Sequence, residues 1–190
     1  MVFDLGNVIV DVNFLKFAKE LGITVEELDT FIVNDEYNKF ELGNISKIDF
    51  LNSLLRNNIN QKQIDIIENQ PLLKFTLRKQ TYEIAKLLKN RYNIFVLSNT
   101  NVIDFPALNR WLELDKIFQK CYLSYKRHLA KPSVEIYKDA EKYFGIKPNE
   151  TLFLDDKIEN VLGAEKCGWE AVQIKNERSL INEFKKREII

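Results

Sequence analysis

The sequence predicts an α/β protein: a Rossmann-like, doubly wound parallel sheet with a small all-helical cap inserted after the first strand. Three observations predict it. Five short apolar runs, at 1–5, 93–98, 117–123, 151–156 and 171–174, lack the alternation of a half-exposed strand, which is the pattern of parallel strands covered on both faces. Helical stretches separate these runs from about residue 90 onward, so strand and helix alternate and the crossovers should be right-handed. Between Asn13 and about Phe75 no strand is legible, and short helical stretches succeed one another.

The first element, "MVFDL", opens the sheet within the longer apolar stretch "MVFDLGNVIVDV". The insertion reads as "FLKFAKELG", "TVEELDTFIV" (24–33), "DEYNKFELG", "SKIDFLNSLLRNN" and "NQKQIDIIENQ", broken by Gly22, Gly43 and Pro71. Thr24 and Glu27 have the spacing of a capping box. "TLRKQTYEIAKLLKN" is the first core helix. "SVEIYKDAEKYFG" starts with Ser133 as its cap and stops at Gly145, and "IENVLGAEKCG" stops at Gly168. The expected division is a core of residues 1–12 and 76–190 and a helical cap of 13–75. The connectors near 11–14 and 72–76 are candidate hinges.

Composition excludes several classes. The chain has 190 residues, 45% of them hydrophobic, enough for one good core. Its 28 basic and 28 acidic residues cancel, so neither a nucleic acid nor an anionic membrane is indicated as partner. Cys121 and Cys167 are far apart and form neither a disulfide framework nor a zinc motif; a role as small buried hydrophobes is expected. Trp111 and Trp169 are expected to pack. No leader pattern and no long apolar segment occurs, so a cytoplasmic soluble protein is expected, with no obligate protein partner evident.

In such a sheet, ligands bind beyond the carboxyl ends of the strands. The residues there are Asp4, Gly6 and Asn7; Ser98, Asn99, Thr100 and Asn101; His128, Lys131 and Pro132; and Asp155 with Asp156. The six glycines give neither GxGxxG nor a P-loop, and no GxSxG occurs. His128, the one histidine, lies in a charged loop and reads as solvated. What remains suits a phosphate monoester and Mg²⁺. Asp4 and Asp155 offer hard oxygen ligands, and the metal would explain a carboxylate in an apolar strand, which is costly without a partner. A serine hydroxyl and a backbone N–H hold phosphoryl oxygens, a lysine balances developing charge, and an aspartate can attack phosphorus.

Four motifs in order resemble the haloacid dehalogenase superfamily of phosphohydrolases, and the resemblance spans nearly the whole chain. "FDLGNVIVD" resembles its first motif, "VLSNTN" its second, Lys131 in "AKPSVEIY" its third and "FLDDKIENVLGAEKCGW" its fourth. The resemblance implies Asp4 as nucleophile, Ser98 and the Asn99 N–H as phosphate ligands, Lys131 as catalytic and substrate-binding, and Asp155 as metal ligand with Asp156 supporting. The insertion is similar to a subclass I cap. The wording is also close to bacterial sugar-phosphate phosphatases that act on glucose 1-phosphate. A small phosphorylated metabolite is the implied substrate, and Tyr37, Phe40, Glu41 and the Gly43–Asn44 turn are cap positions that would face it. Asn160 is placed to steady Asp155 or Asp156.

One departure stands out. The usual first motif is Asp-x-Asp, and its second aspartate is the general acid and base; here that position is Gly6. Its carbonyl can still ligate Mg²⁺, but proton transfer, commonly worth ~10²–10⁴-fold, loses its usual carrier. Asp11, or water held by Asn7, is the expected substitute. The rival readings are a phosphomutase (beta-phosphoglucomutase-like), a dehalogenase, or a phosphate-binding regulatory protein that has lost turnover through Gly6.

Overall fold

The chain enters through β1 (Val2–Phe3), turns sharply, and continues as β2 (Val10–Val12). Five helices come next: α1 (Phe14–Leu21), α2 (Val25–Ile32), α3 (Asp35–Glu41), α4 (Lys47–Arg56) and α5 (Gln61–Asn69). A 3₁₀ turn, Pro71–Lys74, leads into β3 (Phe75–Leu77). The remainder runs α6 (Lys79–Leu88), β4 (Phe95–Ser98), α7 (Asp104–Leu112), α8 (Leu114–Ile117), β5 (Lys120–Leu123), α9 (Ser124–Arg127), α10 (Val134–Phe144), β6 (Leu152–Asp155), α11 (Ile158–Glu165), β7 (Glu170–Gln173) and α12 (Glu177–Lys186). The structure is a computed structural model describing residues 1–32 and 34–190. Val33, the end of the stretch expected at 24–33, lies outside the described residues.

Five strands form one parallel sheet in the order β5-β4-β1-β6-β7. From β1 the chain moves outward to β4 and β5, then returns to the other side of β1 for β6 and β7. Strand order therefore reverses at β1, which pairs Phe3 with Val96 on one side and with Leu154 on the other. That reversal opens the crevice where ligands bind in this architecture. Apolar side chains cover both faces, with Phe3, Val96, Leu154 and Phe184 in one cluster and Val2, Leu97, Phe153 and Tyr137 in the other.

The strand expected at 1–5 is confined to Val2–Phe3, and the apolar stretch after it does not extend it: the amides of Ile9 and Val10 both donate to the Leu5 carbonyl, and Asn7 takes φ 52°. The chain doubles back within six residues, 4–9, and presents Asp4, Gly6 and Asn7 at the sheet edge. The sequence did not announce the ribbon: β2 and β3 pair antiparallel, Val10 with Leu77 and Val12 with Phe75, so the two connectors that are candidate hinges run side by side.

The helices between those crossings share an apolar cluster built on Phe17, Leu21, Phe40, Phe50 and Leu54. Their ends obey local chemistry. The Thr24 hydroxyl accepts from Glu27 N at 3.1 Å and Glu27 Oε2 accepts from Thr24 N at 2.8 Å, closing the expected capping box. Ser133, expected to cap α10, makes no side-chain cap bond, while Gly145 ends that helix in the left-handed conformation as expected. Trp169 packs on Tyr137 and Phe153; Trp111, expected to pack, is 42% exposed. The thiols are free and half-buried, and burial pushes Cys121 up to about 12. No helix among the described residues is long and apolar enough to cross a membrane.

Candidate active site

The three central strands deliver the site. Asp4 comes directly after β1, Ser98 ends β4 and Asp155 ends β6, with Asp156 next to it. Lys131, from the segment before α10, reaches between them. Its Nζ lies 2.9 Å from Asp4 Oδ1 and 2.6 Å from Asp155 Oδ2, and donates to the Leu97 carbonyl at 2.9 Å. The lysine is buried and Asp155 is fully buried.

Each of these groups is held by neighbours. The Asn99 amide clasps the Lys131 main chain from both sides: Lys131 N donates to Asn99 Oδ1 at 2.9 Å, and Asn99 Nδ2 donates to Lys131 O at 3.0 Å. This positioning by the side chain was not legible in the sequence, which pointed only to the Asn99 N–H. Asp155 Oδ1 accepts from Lys157 N and from Asn160 Nδ2, both at 2.9 Å, so Asn160 steadies Asp155. Asn7 Nδ2 donates to Asp156 Oδ2 at 2.9 Å, and Asn7 Oδ1 accepts from Val12 N. The α10 and α11 supports approach closely at Gly163, where an added Cβ would lie 2.8 Å from the Pro132 carbonyl. Just ahead of α7, Asn101 Oδ1 accepts from Ile103 N and Asp104 N.

The charge balance is uneven. Asp4, Asp155 and Asp156 can each offer an oxygen, all within 4.8 Å of one another, and Lys131 is the cation paired with two of them. Burial raises Asp4 to about 7; Lys131 works against the shift, while Asp155 and Asp156 add to it. Burial works to lower Lys131, but the two carboxylates outweigh it and hold its ammonium above the ordinary range. Such an excess of hard oxygen charge fits a divalent ion such as Mg²⁺. The buried Ser98 hydroxyl makes only one long bond, 3.4 Å to Asn99 O, among the described residues, and it lines the same cavity.

The cavity above these groups holds about 180 Å³ and is bounded by both the sheet edge and the helical insertion. Gly6, Asn7, Asn99, Lys157 and Asn160 line it from below; Phe14, Tyr37, Glu41, Lys74 and Phe75 close it from the other side. Phe40, one of the expected cap contacts, instead stacks on Phe50 within the insertion at 4.2 Å between centroids. Tyr37 and Glu41 stand one helical turn apart on α3, and that spacing was the available signal. Lys74 and Asp104 form a buried ion pair at 2.8 Å that no motif announced. Asp11 is absent from the cavity wall: it is half-exposed and takes Arg78 Nε at 2.7 Å. His128 is exposed, as expected, yet its Nδ1 lies 2.9 Å from Leu42 O and 3.2 Å from Asn44 Oδ1, joining the core to the turn after α3.

Comparison with known proteins places this arrangement. The family model described as haloacid dehalogenase-like hydrolase matches residues 1–168. A D-ribitol-5-phosphate phosphatase of Bacteroides thetaiotaomicron is 30% identical over 196 residues, covering 93% of this chain and 91% of the relative. The structure of a predicted HAD-like family hydrolase from Porphyromonas gingivalis superposes with TM-score 0.83 at 28% identity, over 98% of this chain and 96% of that one. A HAD family enzyme from Bacteroides thetaiotaomicron, in complex with magnesium and inorganic phosphate, superposes with TM-score 0.78 at 25% identity, covering 90% and 91%. The chain belongs to the haloacid dehalogenase-like hydrolase family.

Proposed function

We propose that this hydrolase is a Mg²⁺-dependent phosphatase of small sugar or polyol phosphates, working through an aspartyl phosphate on Asp4. One observation carries the reading: Lys131 Nζ joins Asp4 and Asp155 at the crevice where strand order reverses, beside the Ser98 hydroxyl. The similarity to a D-ribitol-5-phosphate phosphatase supports the substrate class, and the related structure holding magnesium and phosphate supports the metal.

Asp4 provides the nucleophilic carboxylate. Ser98 Oγ and the Asn99 N–H hold oxygens of the transferring group, and Lys131 offsets the charge that develops on it. Asp4, the Gly6 carbonyl and Asp155 are the residues that would hold Mg²⁺, with Asp156, oriented by Asn7, supporting. The ion, when bound, supplies positive charge that favours the ionised Asp4 and the dianionic phosphate. Water then cleaves the acyl phosphate and restores Asp4. The polar, charged cavity wall of Glu41, Tyr37, Lys74 and Lys157 suits a hydroxyl-rich leaving group. The three-carboxylate cluster counts against a dehalogenase, which needs no metal.

The test is release of inorganic phosphate from a panel that includes ribitol 5-phosphate and glucose 1-phosphate, with Mg²⁺ and with chelator, for wild type and Asp4→Asn. Turnover that requires both Asp4 and the metal supports the reading. No release from any monoester, or release unchanged in Asp4→Asn, overturns it; transfer between sugar positions without free phosphate makes the enzyme a mutase.

A further inference from the structure

We infer that Glu41, carried by the helical insertion, is the proton carrier that Gly6 leaves missing. The inference rests on the phosphatase reading above. The first candidate from the sequence, Asp11, is engaged by Arg78 outside the cavity. Glu41 lines the same cavity as Asp4 and Lys131. The cavity is small, about 180 Å³, and a monoester held at Asp4 would extend toward the wall that carries Glu41. Of the remaining carboxylates on its wall, Asp104 is paired with Lys74 and Asp156 with Asn7.

Glu41 is held in place from the core side. Its carbonyl accepts from Ser124 Oγ at 2.7 Å, and that same oxygen accepts from Thr100 N at 2.9 Å, in the loop that begins at Ser98. Gly43 lies so close to Tyr125 that an added Cβ would sit 2.1 Å from its carbonyl oxygen. The end of α3 is therefore docked on the loops beyond β4 and β5. The titratable groups facing Glu41 come from four elements: Tyr37 on its own helix, Lys74, Asp104 and Lys157. Burial, then Asp104, raise its carboxyl above the ordinary range, against the pull of Lys157, Lys74 and the Tyr37 hydrogen bond. A carboxyl so placed holds a proton closer to neutral pH, which suits a general acid.

In the first step Asp4 Oδ attacks phosphorus, the bond from phosphorus to the ester oxygen breaks, and its electron pair takes the proton from Glu41. In the second, water attacks phosphorus and gives a proton back to the Glu41 carboxylate. The bond from phosphorus to Asp4 then breaks, returning its electron pair to Asp4.

Three variants test this: Glu41→Gln, Gly6→Asp, and the two combined. Gly6 has room for the change, since its added Cβ meets nothing nearer than Val12 Cγ2 at 3.4 Å and its backbone is outside the left-handed region. On a polyol phosphate, Glu41→Gln should lower kcat by ~10²–10⁴-fold. On p-nitrophenyl phosphate, whose leaving group needs no proton, the same variant should still release one enzyme equivalent of nitrophenol as a burst, before slow turnover. The alkaline limb of the wild-type kcat profile should vanish in Glu41→Gln, and Gly6→Asp should restore at least tenfold of the loss in the double variant. A change in KM alone, or a double variant no faster than Glu41→Gln while Gly6→Asp alone is active, overturns the inference and leaves the phosphatase reading standing. A wild type inactive on every monoester overturns both.

Discussion

Lys131 Nζ stands 2.9 Å from Asp4 Oδ1 inside the crevice, and the same ammonium reaches Asp155 at 2.6 Å. One buried cation therefore serves two carboxylates, with a third, Asp156, nearby. Removing it as Lys131→Met leaves buried negative charge without a partner. The expected cost is roughly 3–5 kcal/mol of stability, read by urea unfolding, together with loss of turnover.

The Asp4 shift sets a pH dependence. Its carboxyl is raised from 3.8 to about 7 by folding, so the folded state holds this proton more tightly than the unfolded chain. That contribution to stability is full below about pH 4 and is lost as pH rises through about 7. In chelator, melting temperature should fall between pH 5 and 8. Added Mg²⁺ should stabilise the protein most at the alkaline end, where Asp4 is ionised. Asp4→Asn should flatten the dependence, read by thermal melts across that range.

Asp11→Asn separates the structure from the first sequence expectation. Because Asp11 binds Arg78 and is not on the cavity wall, kcat and its pH profile should be unchanged. Stability should drop by about 1–2 kcal/mol through the weakened bond to the buried Arg78, read by denaturant midpoint.

Gly43→Ala probes the seat of the insertion on the core. Gly43 has φ +68° and no room toward Tyr125. A left-handed alanine costs about 1–2 kcal/mol, and the contact with Tyr125 adds to it. The variant should lose stability and, by moving Glu41, also lose kcat on polyol phosphates, read by unfolding and phosphate release.

Much of this arrangement was legible because the sheet concentrates it. Parallel strands buried on both faces leave continuous apolar runs, and the polar residues at the carboxyl end of each run converge on one crevice, so Asp4, Ser98 and Asp155 could be placed from the sequence. The ribbon of β2 and β3 could not: three residues pairing with three others some sixty positions away leave no periodicity to read. Lys74 and Asp104 were equally silent, since a buried ion pair depends on two elements meeting and neither residue belongs to a motif. The place of Asp11 could not be read either: the turn at 4–9 sends β2 toward Arg78, and no residue pattern announces that turn. Tyr37 and Glu41 carried a weak signal in their spacing, but which face of α3 meets the core is fixed by Gly43 and Ser124.

The most direct measurement is mass spectrometry of enzyme quenched in acid during turnover of a sugar or polyol phosphate with Mg²⁺. The expected result is one phosphoryl group on the peptide carrying Asp4, lost again on chase and never formed in Asp4→Asn. A phosphoryl group on any other residue, or undiminished phosphate release by Asp4→Asn, would contradict the assignment of Asp4 as nucleophile.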